Sequence, residues 1–275
     1  MPLFIWILIC ILVPAASGAG TVQKSSLPEK ISAWIKVAPP KLGSEEWNAA
    51  VGSEYEWTVD TKEGLPVAHR RDPKAEQASA LPPVVKRARG PHPEPGEIRS
   101  LKVVDGWLVS YNPEDGGGSL WWYGADGRQG YKVSNDQIRQ FLPARRGLFA
   151  LEGLEQVKES RGQIVQLQRN AQGQWMSTRF FDLERAPEVG MVESGGFLVC
   201  TIDSLVRVSL DKTQTVLLPN AFWTGLSPRS IAVSQRGDIY LGMHHGVAQI
   251  YPFNRAYVAE WFLPNLDFLH AKAKL

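Results

Sequence analysis

The chain has 275 residues, 44% of them hydrophobic and 21% charged, with a formal net charge of +2 at pH 7. That balance describes a globular protein long enough for one sizeable core, and it excludes a largely disordered chain or one held to nucleic acid by bulk charge. Two cysteines, Cys10 and Cys200, are too few for a disulfide-stapled scaffold.

The chain opens on an unbroken apolar run, 3–13, which Pro14 ends and Ala15, Ala16, Ser17, Gly18 and Ala19 follow. An apolar stretch leading into small residues is the pattern of a secretory signal peptide spanning 1–19, with cleavage after Ser17 or Ala19. No Lys or Arg precedes Lys24, so an uncleaved anchor is the competing reading, although the run is short for a bilayer span. Cys10 lacks the preceding small residue that lipid attachment needs. The expectation is a periplasmic or secreted protein with no membrane contact beyond this segment. Cleavage would leave Cys200 alone, and its place in an apolar run marks it as a small buried hydrophobe rather than a nucleophile.

Residues 20–96 hold ten of the nineteen prolines: Pro28, Pro39, Pro40, Pro66, Pro73, Pro82, Pro83, Pro91, Pro93 and Pro95. Proline removes a ladder donor and fixes φ, so this region is not mostly regular sheet or helix. Two short alternating runs, 54–59 and 65–69, flank Lys62, Glu63 and Gly64 and predict a hairpin. Residues 80–96 read as an extended linker. Trp34, Trp47, Tyr55 and Trp57 carry too much aromatic surface for a disordered arm, so the region is expected to pack on the rest of the chain as a degenerate extra blade.

A repeat then governs 97–264. Gly106, Gly147, Gly196 and Gly237 lie 41, 49 and 41 residues apart, and each is followed by a strongly apolar run. Those runs are Trp107-Leu-Val-Ser-Tyr111, Leu148-Phe-Ala-Leu-Glu152, Phe197-Leu-Val-Cys-Thr201 and Asp238-Ile-Tyr-Leu-Gly242. A weaker run precedes each glycine, and two further alternating runs follow. Four strands per copy is the signature of a propeller blade. The fold class predicted is all-β: a β-propeller of four to five four-stranded antiparallel blades with a Pro-rich N-terminal extension. Blade boundaries fall near residues 135, 183, 219 and 264, and 265–275 form a tail. An open twisted sheet of the same repeats is the structural alternative, but closure hides strand edges that would otherwise pair with other chains.

The stretch 225–242, Gly225-Leu-Ser-Pro-Arg-Ser-Ile-Ala-Val-Ser-Gln-Arg-Gly-Asp-Ile-Tyr-Leu-Gly242, resembles a repeat of NHL-type propellers and of the calcium-dependent lactonases. The resemblance covers about the last 170 residues as blade pattern. It implies ligands held on one face, by loops between second and third strands and by loops joining blades. In the lactonase branch the residue after that proline is a metal-binding asparagine. Here it is Arg229, a permanent cation with no acceptor, so the resemblance does not carry the activity over.

Mapped onto the repeat, the loops of that face are unequal: 110–118 and 153–162 are long, 202–203 and 243–245 short, and 219–228 is the longest link between blades. The residues singled out for binding are Tyr111, Glu114, Asp115, Glu155, Lys158, Arg161, Asp203, Trp223, His244 and His245. His244 and His245 are adjacent, so they point apart on a strand and do not chelate one ion together. Asp115 and the three glycines after it lack the Lys-Ser or Lys-Thr of a phosphate loop. No catalytic residue, metal or cofactor is assigned. The expected function is a secreted, non-enzymatic propeller that binds a protein partner through its loop face, as an immunity or envelope-assembly protein does. A lactonase- or esterase-type hydrolase using Glu114, Asp115, Asp136, Glu155, Asp203 or His244 is the alternative, and glycan stacking on Trp223 a third reading.

Overall fold

The computed structural model describes residues 29–74, 76, 81–82, 85, 96–113, 117–156 and 159–264, with backbone alone at 29, 154–156 and 159–160. The expected signal segment 1–19 and tail 265–275 lie outside the described residues. Among the described residues no helix is long and apolar enough to cross a membrane.

Each repeat is one antiparallel sheet whose strands follow chain order. The first holds β5 (Glu97–Val103), β6 (Gly106–Asn112), β7 (Ser119–Gly124) and β8 (Gly130–Ser134). The second holds β9 (Ile138–Ala144), β10 (Gly147–Gln156), β11 (Glu159–Arg169) and β12 (Trp175–Leu183). In the third are β13 (Pro187–Glu193), β14 (Gly196–Thr201), β15 (Leu205–Ser209) and β16 (Gln214–Leu218). In the fourth are β17 (Ser230–Val233), β18 (Ile239–Gly242), β19 (Val247–Phe253) and β20 (Ala256–Leu263).

The N-terminal region supplies β1 (Glu29–Lys30), β2 (Ile35–Val37), a helix α1 (Glu45–Val51), β3 (Trp57–Lys62) and β4 (Leu65–Arg70). The predicted hairpin is β3–β4, whose turn residues Glu63 (φ 54) and Gly64 (φ 77) both take the positive φ of a type I′ turn. With β1 it makes a sheet of order β1-β4-β3, and β2 adds a fifth strand to the edge of blade four beyond β20. The protein is therefore an all-β propeller, in which the described residues form three four-stranded blades, a fourth extended to five strands by β2, and a three-stranded fifth sheet.

The apolar runs after the marker glycines are second strands. All six residues of β14 and all four of β18 are buried, because a second strand is covered by neighbouring blades on both faces. Outer strands such as β12 and β16 are only partly covered, which explains their weaker alternation. The marker glycines answer different demands. Gly237 has φ 86, a left-handed conformation that a side chain resists, whereas a Cβ on Gly196 would run into the carbonyl of Val208.

Each junction between sheets has its own core. Phe149, Phe180 and Phe197 meet edge-to-face between blades two and three, with centroids 4.9–6.0 Å apart. Leu108, Ile138 and Val165 join blades one and two. Leu198, Leu241 and Trp261 join blades three and four. Trp57, packed edge-on against Trp34 at 4.6 Å, joins the three-stranded sheet to blade four. The remaining face of blade one is covered by the Pro-rich linker, whose Leu81 and fully buried Val85 pack on Val109, Tyr111 and Tyr123.

Two sequence expectations change here. Helix α1 lies in the Pro-rich region, before the predicted hairpin, where the sequence suggests no regular element. Ser44 caps it by accepting from the Trp47 N–H at 3.2 Å. The expected loop 153–162 is instead mostly ladder, with Gly153 opposite Gly162 and Glu155 opposite Ser160. Main-chain bonds extend this hairpin without apolar alternation. The two glycines are required because a Cβ on either would overlap the Pro187 ring of the next blade.

Candidate functional site

In each blade the end of the second strand is tied to a segment that enters a blade, the next one for blade one and its own for the other three. Asn112 donates to the Ile138 carbonyl at 2.8 Å, and Ile138 donates to Ser110 Oγ at 3.2 Å. The Gly153 N–H reaches Gln137 O, Ile202 reaches Ala186 O, and His244 reaches Leu226 O, at 3.3, 3.1 and 2.9 Å. These ties put the second-to-third connections and the blade-to-blade links at one end of the ring, the loop-bearing end.

Toward the axis at this end, the chain gathers charged side chains from separate sheets. Glu97, at the start of β5, receives Arg99 at 2.5 Å, Arg229 at 3.7 Å and Arg139 at 3.9 Å. Beside them Arg71 binds Glu56 and, at 2.8 Å, Glu76. His244 Nε2 donates to Glu56 at 3.1 Å. Every one of these side chains is mostly but not wholly buried. Hydrogen bonding from His244, outweighing desolvation, and then from Arg71 holds the Glu56 carboxyl down at about 2. Burial opposes the charge on Arg71, but Glu76 and Glu56 raise its pKa overall. Arg99 shifts downward, through burial first and then through Arg229 and Arg71 as like charges, against the pull of Glu97.

A second feature is a groove of about 210 Å³ between blades two and three, lined by Leu183, Arg185, Asp203, Val206, Val216 and Asn220. Arg185 and Asp203 face each other in it at 3.1 Å. A third is the Glu152 carboxyl on β10, raised by burial and then by the nearby Asp136 charge.

The structure distributes the sequence-predicted residues widely. Asp203 lines the groove and His244 belongs to the axial cluster. His245, at φ 69, turns the other way and lies 6.0 Å from the Trp261 ring, where burial lowers its pKa. Arg161 is exposed on β11, opposite Leu154. Glu114, Asp115, Lys158 and the side chain of Glu155 lie outside the described residues.

Tyr111 and Trp223 are not on the rim at all. Tyr111 is buried, its hydroxyl 3.3 Å from that of Tyr123, and burial pushes its pKa up. Trp223 is fully enclosed and donates to the Thr201 carbonyl at 2.9 Å, so its ring offers no face for a sugar. The reason is tertiary: α1 sits on loop 219–228, with Trp47 Nε1 bonded to the Thr224 carbonyl at 2.8 Å.

Sequence reasoning missed the axial cluster. The signal was present in the repeat: Glu97 precedes Gly106 by nine residues and Arg229 precedes Gly237 by eight, so Glu97 opens a first strand and Arg229 immediately precedes one. First strands line the axis of a propeller, and a polar residue at their start faces its mouth. Among the described residues no group of three His, Cys, Asp or Glu side chains is placed to hold a metal ion. Cys200 is wholly buried, and desolvation raises its thiol well above the usual value.

No protein-family model matches the chain, and no curated protein matches it. Among solved structures the chain is similar to one titled "Streptogramin B lyase structure", with a TM-score of 0.39 and 10% identity, over 86% of this chain and 76% of that one.

Proposed function

We propose that this chain is an exported, non-enzymatic β-propeller that docks a protein partner on its loop-bearing end, acting as an immunity or envelope-assembly factor. The supporting observation is the axial cluster of Arg71, Arg99, Arg139 and Arg229 with Glu56, Glu76 and Glu97, gathered from different sheets and tied by ion pairs. Partly buried, mutually restrained charges form a fixed pattern that a complementary surface can read. The groove holding Arg185 and Asp203 at the same end extends that pattern off the axis. Kinship with NHL and lactonase-type propellers is proposed at the level of blade architecture alone, since Arg229 stands at the lactonase asparagine position and pairs with Glu97.

The test is co-purification of the tagged full chain from the cells that make it, repeated with Arg185→Glu, Asp203→Arg and Arg229→Gln. Loss of one specific protein by about tenfold or more in these variants, each still folded by circular dichroism, is expected. Full retention of that protein by all three variants would remove the loop-bearing end from the reading.

One observation favours a second reading, a carboxyl-dependent hydrolase. Burial and then the Asp136 charge raise the Glu152 carboxyl, the direction that a general acid requires. Turnover of simple lactone or ester substrates that Glu152→Gln abolishes would establish it.

A further inference from the structure

Arg229 differs from Arg71 and Arg99, its neighbours in the mouth. Arg71 is held by two carboxylates, and Arg99 by Glu97 and by the carbonyl of Arg139 at 3.1 Å. Arg229 approaches Glu97 at 3.7 Å, too far for a hydrogen bond, and its buried Nε has no hydrogen-bond partner among the described residues. A guanidinium carries five donors in a planar fork and no acceptor, so one left this way is underused. Arg229 and Arg99 also converge on the same Glu97 oxygen, leaving two cations around one acceptor. Both side chains keep solvent access, at 25% and 28% exposure, so a ligand can reach them.

We propose that the axial mouth is an oxyanion receptor, in which Arg229 and Arg99 together take a carboxylate or phosphate group with at least two accepting oxygens. Glu97 is the internal competitor, holding the fork in place until an external oxyanion replaces it on Arg229. Fork-to-oxyanion pairing supplies two parallel N–H···O bonds and neutralises the surplus cation. The site goes beyond partner docking because the purified chain alone suffices to display it. A partner's aspartate or glutamate and a free small anion share this chemistry.

The experiment is calorimetric titration of the full-length protein at low salt with inorganic phosphate, with citrate and with an aspartate-rich peptide. Saturable binding with a dissociation constant of about 1 mM or tighter is expected for at least one probe. Arg229→Gln should weaken it about tenfold or more. Arg229→Lys, which keeps the charge but loses the fork, should fall between, and it covers the case in which the glutamine variant does not fold. Glu97→Gln should strengthen binding about threefold or more by removing the competitor. Preference for the peptide would assign the site to a protein carboxylate, and preference for phosphate or citrate to a free anion. Either preference supports the receptor. Absence of saturable binding by all three probes, unchanged affinity in both Arg229 variants, or no gain in Glu97→Gln would overturn it. Failure here leaves partner docking to be judged by retention of the co-purifying protein, so the two readings fall separately.

Discussion

Glu56 shows how one side chain can join sheets that are distant in sequence. It precedes β3, forms an isolated bridge with His244 after β18, and accepts from both His244 and Arg71. Its carboxyl is held at about 2 against an ordinary 4.5. A depressed carboxyl stabilises the fold fully above its unfolded pKa, and that contribution is lost as pH falls through the folded value. Glu56→Gln should therefore cost about 1–3 kcal/mol at neutral pH. The gap between the two proteins should close as pH drops from about 4.5 toward about 2. Urea unfolding across that window checks it, and a gap that persists at the acid end would contradict the assignment. Tyr111 and Trp223 carry the opposite lesson. Their residue types suit a binding rim, but each is covered by a segment more than twenty residues away in sequence.

Sheets meet so closely that some positions in a strand admit no side chain. A Cβ on Gly242, at the end of β18, would lie 2.5 Å from the Trp57 carbonyl and 2.8 Å from the Thr58 Cα. Both contacts are backbone of the three-stranded sheet, so relief requires that sheet to move. Gly242→Ala should destabilise by about 1–3 kcal/mol. Gly195→Ala, with nothing within 4 Å of the added carbon, should be neutral or slightly stabilising. Equal unfolding midpoints for the two variants would contradict the close junction. The same closeness explains why 153–162 misled a reading by pattern. Its glycines have the look of loop residues in the sequence, whereas in the fold they keep a ladder clear of Pro187.

Closure of the ring depends on the N-terminal region in three places: the three-stranded sheet on blade four, β2 on the outer edge of β20, and Leu81 and Val85 on blade one. A chain consisting of 97–275 alone would uncover Tyr240 and Val247 on one side and Tyr111 and Tyr123 on the other, and would free the edge of β20. Exposed apolar faces and strand edges drive association. Sedimentation should find this shorter chain aggregated or self-associated at concentrations where the full protein is monodisperse. A monomeric fragment with a single cooperative unfolding transition would show that four blades close by themselves.

The chain's own pattern determined the four blades, their second strands and most turns, because alternation and glycine spacing are local properties written within each 40-odd residues. The hairpin was legible for the same reason, through the turn chemistry at Glu63 and Gly64. Helix α1 was not, since seven residues among prolines form a helix largely by packing on loop 219–228 rather than by propensity. Which loop residues remain accessible, and which charges meet at the axis, depended on sequence separations that no local rule spans. Arg229 and Glu97 are 132 residues apart, and only ring closure sets their side chains 3.7 Å from each other.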